Sequence, residues 1–352
     1  MDTSGHEHRF SAEGLQDFAQ AVLATLGLPE PDAQLGAECF VWANLRGVDS
    51  HGVIRLPWTV WMVETGQLNP CPDIHVIRQT PAVALIDGDR GLGAATATFA
   101  MRHSLAKAQA VGIGWSVVAN TTSPQAIGFY TEMAAAAGMV GIAATYGGLN
   151  TAPHGARAAG LHNGPISIAV PAGRRRSPLL DMATSVVAQG KLEVARHRGA
   201  TMPEGWAVDG NGEPATDPGH YSALVPFGGY KGSGLSFMLE CLTNIMVGDP
   251  QLSPVLLGKP RDDRQRQTCI MAALNIGLFT DPGQFAGNVD DLIEGVKALP
   301  TAEGAAGVLV PGESEDRARA ERERTGIPLP EGTLKALREV SERLAIAMPE
   351  GA

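Results

Sequence analysis

The feature that most constrains this chain is a pair of amphipathic helical patterns at its two ends, each with an apolar face that no neighbouring segment covers. Leu15, Phe18, Val22 and Leu26 recur at steps of three and four behind Ser11, a suitable N-cap, and Gly27 and Pro29 stop the helix. A second helix opens after Pro31, with Asp32 in its first turn and Leu35, Cys39, Trp42 and Leu45 along one side. At the far end Leu334, Leu337, Val340 and Leu344 mark a helix over 331–347. Such stripes are stable when they leave water, so the two ends are expected to pack on each other.

Between the ends the pattern alternates. Strand-like runs at 74–77, 82–86, 115–119, 139–145, 166–170, 179–181 and 270–278 are separated by helical runs at 93–111, 126–137, 185–198 and 289–299. This indicates an α/β core with at least some parallel pairing. No Gly-x-Gly-x-x-Gly follows a strand and no Gly-x-x-x-x-Gly-Lys-Ser/Thr occurs, so the usual dinucleotide fingerprint and the P-loop are both missing.

The formal charge of −10 offers no basic face of the kind that displaces counterions from nucleic acid or an anionic membrane, though it permits a local pocket for a small anion. No apolar run reaches the roughly 18 residues of a membrane helix. Residues 1–9 are polar without a signal-peptide core, so the expected address is the cytoplasm, with His6 and His8 in a solvated tail. Cys39, Cys71, Cys241 and Cys269 form no Cys-x-x-Cys pair and the histidines show no His-x-x-x-His spacing, so no metal site is expected.

Chemistry is concentrated in Arg46-Gly47-Val48-Asp49-Ser50-His51-Gly52-Val53-Ile54-Arg55-Leu56-Pro57. Histidine moves its proton nearest neutral pH, and an adjoining Ser or Asp can fix its tautomer. An arginine fork clamps a carboxylate with two parallel hydrogen bonds. Read alone, the run also suits plain capping and turn chemistry. The Gly-rich loop at 225–234 opens a helix through Leu235, Met238, Leu239, Leu242 and Ile245, and its amides beside Lys231 suit an anion as well as a simple turn. The Arg/Glu-dense run 314–325 reads as a solvated helix face, and Arg174-Arg175-Arg176 as a solvated hairpin tip.

Five blocks in order resemble those of the malate/L-lactate dehydrogenase-like NAD(P)H-dependent oxidoreductases, and the likeness covers nearly the whole chain. They are Arg46-Gly47-Val48-Asp49-Ser50-His51-Gly52-Val53, Asp181-Met182-Ala183-Thr184-Ser185, Pro203-Glu204-Gly205-Trp206-Ala207, Gly228-Gly229-Tyr230-Lys231-Gly232 and Val310-Pro311-Gly312-Glu313. The resemblance implies an α/β fold with a non-Rossmann mixed-sheet cofactor domain and a helical segment built from both chain ends, paired as a homodimer with the site near the interface. The corresponding division is an N-terminal helical segment with the catalytic loop (1–70), a mixed α/β core for cofactor and substrate (71–310), and C-terminal helices packed on the N-terminal segment (311–352).

The resemblance also implies roles. His51 would give or take the proton, with Ser50 orienting it and Asp49 alongside. Arg55 would hold the substrate carboxylate, with Asn163, Gln189 and Gly190 facing substrate. NAD or NADP would meet Thr122, Ser123, Pro124, Gln125 and Ala126, then Asp181, Met182 and Ala183, then Lys231, and finally Pro311, Gly312 and Glu313.

Two positions depart from the family pattern. Ser123 stands where a histidine is usual, and His162-Asn163-Gly164-Pro165 replaces Gly-Thr-Asn-Pro, which puts Asn163 at a substrate-contacting threonine. Both point to altered specificity, with His162 or His154 expected to compensate for Ser123. The expected activity is hydride transfer to or from the 2-carbon of a small 2-oxo or 2-hydroxy acid. The alternatives are reduction of a cyclic 2-imino acid and a non-catalytic cofactor-binding relative.

Overall fold

The structure, a computed structural model, describes residues 8–260, 264 and 266–351. Its first helices are α1 (Ala12–Thr25), α2 (Glu30–Leu45) and α3 (Leu56–Glu64), and its last is α11 (Glu331–Leu344). Ser11 caps α1 by accepting a 3.0 Å bond from the Gly14 amide. Leu15, Phe18 and Val22 share one fully desolvated core with Phe40, Leu56, Leu334, Leu337 and Val340. Here the apolar stripes of both chain ends cover each other. A short strand, β1 (His8–Phe10), pairs antiparallel with β12 (Ile327–Leu329) and ties the ends further. His8 therefore starts a strand rather than a solvated tail, and His6 lies outside the described residues.

The main sheet holds β2 (His75–Gln79), β3 (Val83–Asp87), β4 (Ile113–Thr121), β5 (Val140–Tyr146), β6 (Ile166–Ala169), β7 (Leu179–Met182) and β11 (Gln267–Leu274) in the order β2-β3-β4-β11-β5-β6-β7. It is mixed: β3 and β4 run parallel, joined through α4 (Gly93–Val111), and the other pairs are antiparallel. The helices α4 and α5 (Gly128–Ala136) bury Ala97, Ala100, Met101, Tyr130 and Ala134 against it. Small residues let α4 come close. A Cβ on Gly114 would lie 1.9 Å from the Ser104 carbonyl, and Ser104 Oγ donates to the Met271 carbonyl at 2.7 Å.

A smaller lobe follows, with α6 (Gln189–His197), the strands β8 (Ala207–Val208), β9 (Pro214–Ala215) and β10 (Ala223–Leu224), α7 (Tyr230–Glu240) continuing into a π-helical turn at Cys241–Ile245, and α8 (Ser253–Leu256). The chain then closes through β11, α9 (Pro282–Lys297) and α10 (Glu313–Thr325).

Three boundaries differ most from the sequence reading. The helix expected from 185 starts at Gln189, because the Val186 amide bonds to the Val225 carbonyl at 2.8 Å and keeps the preceding residues extended. The strand expected to reach 278 stops at Leu274, where Asn275 caps a 3₁₀ turn by accepting from the Gly277 amide. The helix expected from 289 begins at Pro282, with Asp281 Oδ1 accepting from the Gln284 amide at 2.8 Å. Among the described residues no helix is long and apolar enough to cross a membrane.

Candidate active site

The helix α2 delivers the chain to the His51 segment. Gly47, at φ +74°, turns it through the left-handed region as the Val48 amide bonds back to the Ala43 carbonyl at 2.8 Å. A 3₁₀ turn, Asp49–His51, follows. Both ends of the turn are braced. Asp49 Oδ1 accepts from Asn44 Nδ2 at 2.8 Å, and Arg322 of α10 reaches Oδ1 and Oδ2 at 2.5 and 2.9 Å. The Asn44 Oδ1 takes the Val53 amide at 2.9 Å, which requires Gly52, since a Cβ there would sit 2.2 Å from that oxygen. Just upstream, Arg46 is 3% exposed, stacked on the Trp42 ring and 2.7 Å from Asp316 of α10.

Ser50 Oγ lies 2.9 Å from His51 Nδ1, which leaves Nε2 as the ring nitrogen available to a ligand. Burial and the neighbouring Arg55 cation together lower the His51 pKa to about 3, so the imidazole is neutral at pH 7. Arg55 Nε donates to the Ser50 carbonyl at 2.7 Å, and Nη1 lies 2.8 Å from Glu193 on α6. Gly190 allows that closeness: a Cβ on it would lie 2.4 Å from Arg55 Nη2 and 2.6 Å from Ser50 Cβ.

Asp49, Ser50, His51, Arg55 and Gly190 line a cleft of about 850 Å³. The same cleft is bounded by Ser123, Gln125 and Ala126, by Asp181, Met182 and Ala183, and by Pro311 and Gly312. The Asp181 carboxylate accepts from the Gly128 amide at 2.7 Å, yet burial outweighs that bond and the Arg46 charge and raises its pKa to about 6. Asn163 and Gln189 are joined through Asn150, whose Nδ2 lies 2.9 Å from Asn163 Oδ1 and 3.1 Å from Gln189 Oε1. His162 also faces the cleft, stacked edge-on against Tyr146 and lowered by burial to about 4. The Thr184 hydroxyl, between two lining residues, is buried with no partner.

Over residues 10–338 the sequence matches the family described as malate/L-lactate dehydrogenase. The chain belongs to that family. It is 35% identical over 328 residues to the L-sulfolactate dehydrogenase of Methanocaldococcus jannaschii, covering 92% of this chain and 94% of that one. It is 33% identical to hydroxycarboxylate dehydrogenase B of Escherichia coli K12, covering 97% and 96%. Among solved structures, the malate dehydrogenase of Pyrococcus horikoshii OT3 superposes with a TM-score of 0.89 at 32% identity, covering 100% of this chain and 99% of that one. This malate/L-lactate dehydrogenase family member is an oxidoreductase.

Within the family member's cleft stand all of the residues expected to do acid/base and substrate chemistry: Asp49, Ser50, His51, Arg55, Asn163, Gln189 and Gly190. Four of the expected cofactor positions lie off it. Thr122 is buried and braces the start of α4, with Oγ1 donating to the Gly91 carbonyl and accepting from the Gly93 amide. The Pro124 carbonyl accepts from Tyr130 Oη at 2.7 Å. Lys231 is exposed in the first turn of α7. Glu313 is held by Lys297 and Arg317, which lower its pKa to about 2. His154 is exposed and does not line the cleft.

Sequence reading missed three contributors. Asn150 carries no local signal, since its partners are set by folding. Glu193 looks like an ordinary surface residue of α6. The run 314–325 proves to be helical but is not merely solvated: Asp316 and Arg322 grip Arg46 and Asp49, and Ser314 and Glu315 line the cleft. Arg174 and Arg175 at the β6–β7 tip are tied to Asp290 and Glu294, and Arg176 lies 3.5 Å from Asp316. Among the described residues no cluster of His, Cys, Asp or Glu is arranged for a metal ion.

Proposed function

We propose that this protein is an NAD(P)-dependent dehydrogenase/reductase that interconverts a small 2-hydroxy acid and its 2-oxo acid. The observation that carries the reading is His51, held by Ser50 at 2.9 Å, beside Arg55 and in one cleft with Asp181, Met182 and Ala183. The cleft fits a dinucleotide together with a small acid, being near the upper end of ordinary ligand sites, which run from roughly 300 to 1,000 Å³.

The nicotinamide ring, when bound, supplies or accepts the hydride at the substrate 2-carbon. Ser123, Gln125, Ala126, Asp181, Met182, Ala183, Pro311 and Gly312 would hold the cofactor. Arg55 orients the substrate carboxylate, which fixes the 2-carbon relative to His51. In oxidation the hydroxyl proton passes to neutral His51 Nε2, and the pair of electrons left on oxygen forms the carbonyl as hydride departs. In reduction the same nitrogen returns the proton to oxygen.

Titrating NADH and NADPH by fluorescence, then following nicotinamide absorbance with pyruvate, oxaloacetate and a cyclic 2-imino acid, tests the proposal. Oxidation with a 2-oxo acid is the expected result. Turnover with the imine alone would move the reading to ketimine reduction, and cofactor binding without any turnover would make this a binding protein. The exposed apolar face of Tyr230, Phe237, Met238 and Ile245 supports pairing with a second copy, which light scattering of Phe237→Asp against the parent would check.

A further inference from the structure

The carboxylate clamp is already engaged within the chain. A guanidinium grips a carboxylate in two-point fashion through one of its donor edges. In Arg55 the Nε is taken by the Ser50 carbonyl at 2.7 Å, and Nη1 by Glu193 Oε2 at 2.8 Å. Each two-donor edge therefore has one member occupied, and Nη2 is the remaining donor, with Gly190 placed so that no side chain covers it.

The two partners differ in how easily they can leave. The Ser50 carbonyl is part of the 3₁₀ turn and is fixed with it. Glu193 is a flexible side chain on α6, 36% exposed, and can swing into water without moving its helix. Arg55 itself is 20% exposed in this pair and faces the cleft.

We infer that Glu193 is an internal competitor for the Arg55 clamp and so sets the selectivity of the site; this rests on the reading of Arg55 as the substrate-carboxylate residue. The incoming carboxylate exchanges with Glu193, and one anion replaces another on the same cation. The exchange returns little net Coulomb energy. A bare carboxylate therefore gains little, and retention passes to substrates that also satisfy His51 and the Asn150–Asn163–Gln189 amides. Glu193 thereby converts a general anion site into one that reads the group next to the carboxylate.

The test uses the NADH complex of the full chain with oxamate and acetate as probes, and oxaloacetate as substrate. Glu193→Gln should tighten both probes and lower the oxaloacetate KM by about two- to tenfold, the range expected for losing a part-exposed ionic competitor, with kcat changing less than KM. Acetate should gain at least as much as oxamate. Glu193→Ala, which suits a helix, supplies a second variant should the glutamine form fail to fold. The gain should vanish in an Arg55→Gln background. Unchanged or weaker probe binding in both single variants would overturn the inference, as would a gain that persists without Arg55. If Arg55→Gln alone binds oxamate like the parent, the clamp reading itself fails and the inference with it.

Discussion

Arg322 holds both oxygens of Asp49, at 2.5 and 2.9 Å, across 273 residues of sequence. Because Asp49 opens the 3₁₀ turn that carries Ser50 and His51, the helix α10 helps to set where the imidazole stands. A second bridge of opposite sense, Arg46 to Asp316 at 2.7 Å, fixes the other side of the same junction. Both pairs are largely shielded from water, so removing one partner strands a charge.

Arg322→Ala should therefore lower stability by about 2–4 kcal/mol in urea titrations and cut turnover tenfold or more. Arg322→Lys should recover part of the stability but less of the turnover, because an ammonium cannot span both Asp49 oxygens. Equal turnover in the alanine variant and the parent would show that α10 does not position the turn.

His51→Ala should lower kcat by about 10²–10⁴-fold, the usual worth of a positioned acid/base, while NADH or NADPH still binds. Fluorescence titration beside steady-state rates separates the two effects. Parental turnover would remove His51 from the mechanism.

The two perturbed groups of the cleft pull stability in opposite directions as pH changes. His51 is depressed from 6.5 to about 3, so the unfolded chain binds more protons between those values; the stability present above pH 6.5 is lost as pH falls. Asp181 is raised from 3.8 to about 6, so its contribution is full below 3.8 and is lost as pH rises through 6. Asp181→Asn should be the more stable protein at pH 8, by on the order of 1–3 kcal/mol, with the difference gone near pH 4. Denaturant melts at the two pH values check the sign.

Gly52→Ala should destabilise by about 1–3 kcal/mol, although the Gly52 φ of −85° is open to any residue. The added Cβ would displace Asn44 Oδ1 from the Val53 amide and loosen Asn44 from Asp49. Thermal unfolding and turnover should fall together.

Legibility followed the range of the interaction that decides each feature. The stripes of α1 and α11 could be read because amphipathic spacing is local, and the alternation of strands and helices indicated an α/β core for the same reason, whereas the mixed sheet came from the family resemblance. The His51 segment was legible because its parts are adjacent in sequence. The β1–β12 pair was missed: each strand has three residues, and Pro328 interrupts the second. The run 314–325 was recognisable as helical, but a helix dense in both charges does not reveal which of them meet a distant partner. The extended stretch before Gln189 was hidden too, since its shape is imposed by Val225 and not by its own residues.

The long-range bracing of the His51 turn has a consequence for how the protein is made. Asp316 and Arg322 leave the ribosome 270 and 273 residues after the partners they hold, Arg46 and Asp49. A nascent chain, or one clipped before α10, would carry the histidine and the arginine without the frame that aims them. Activity should accordingly switch on when α10 docks, and a ribosome-held chain should turn over no substrate until that helix has emerged.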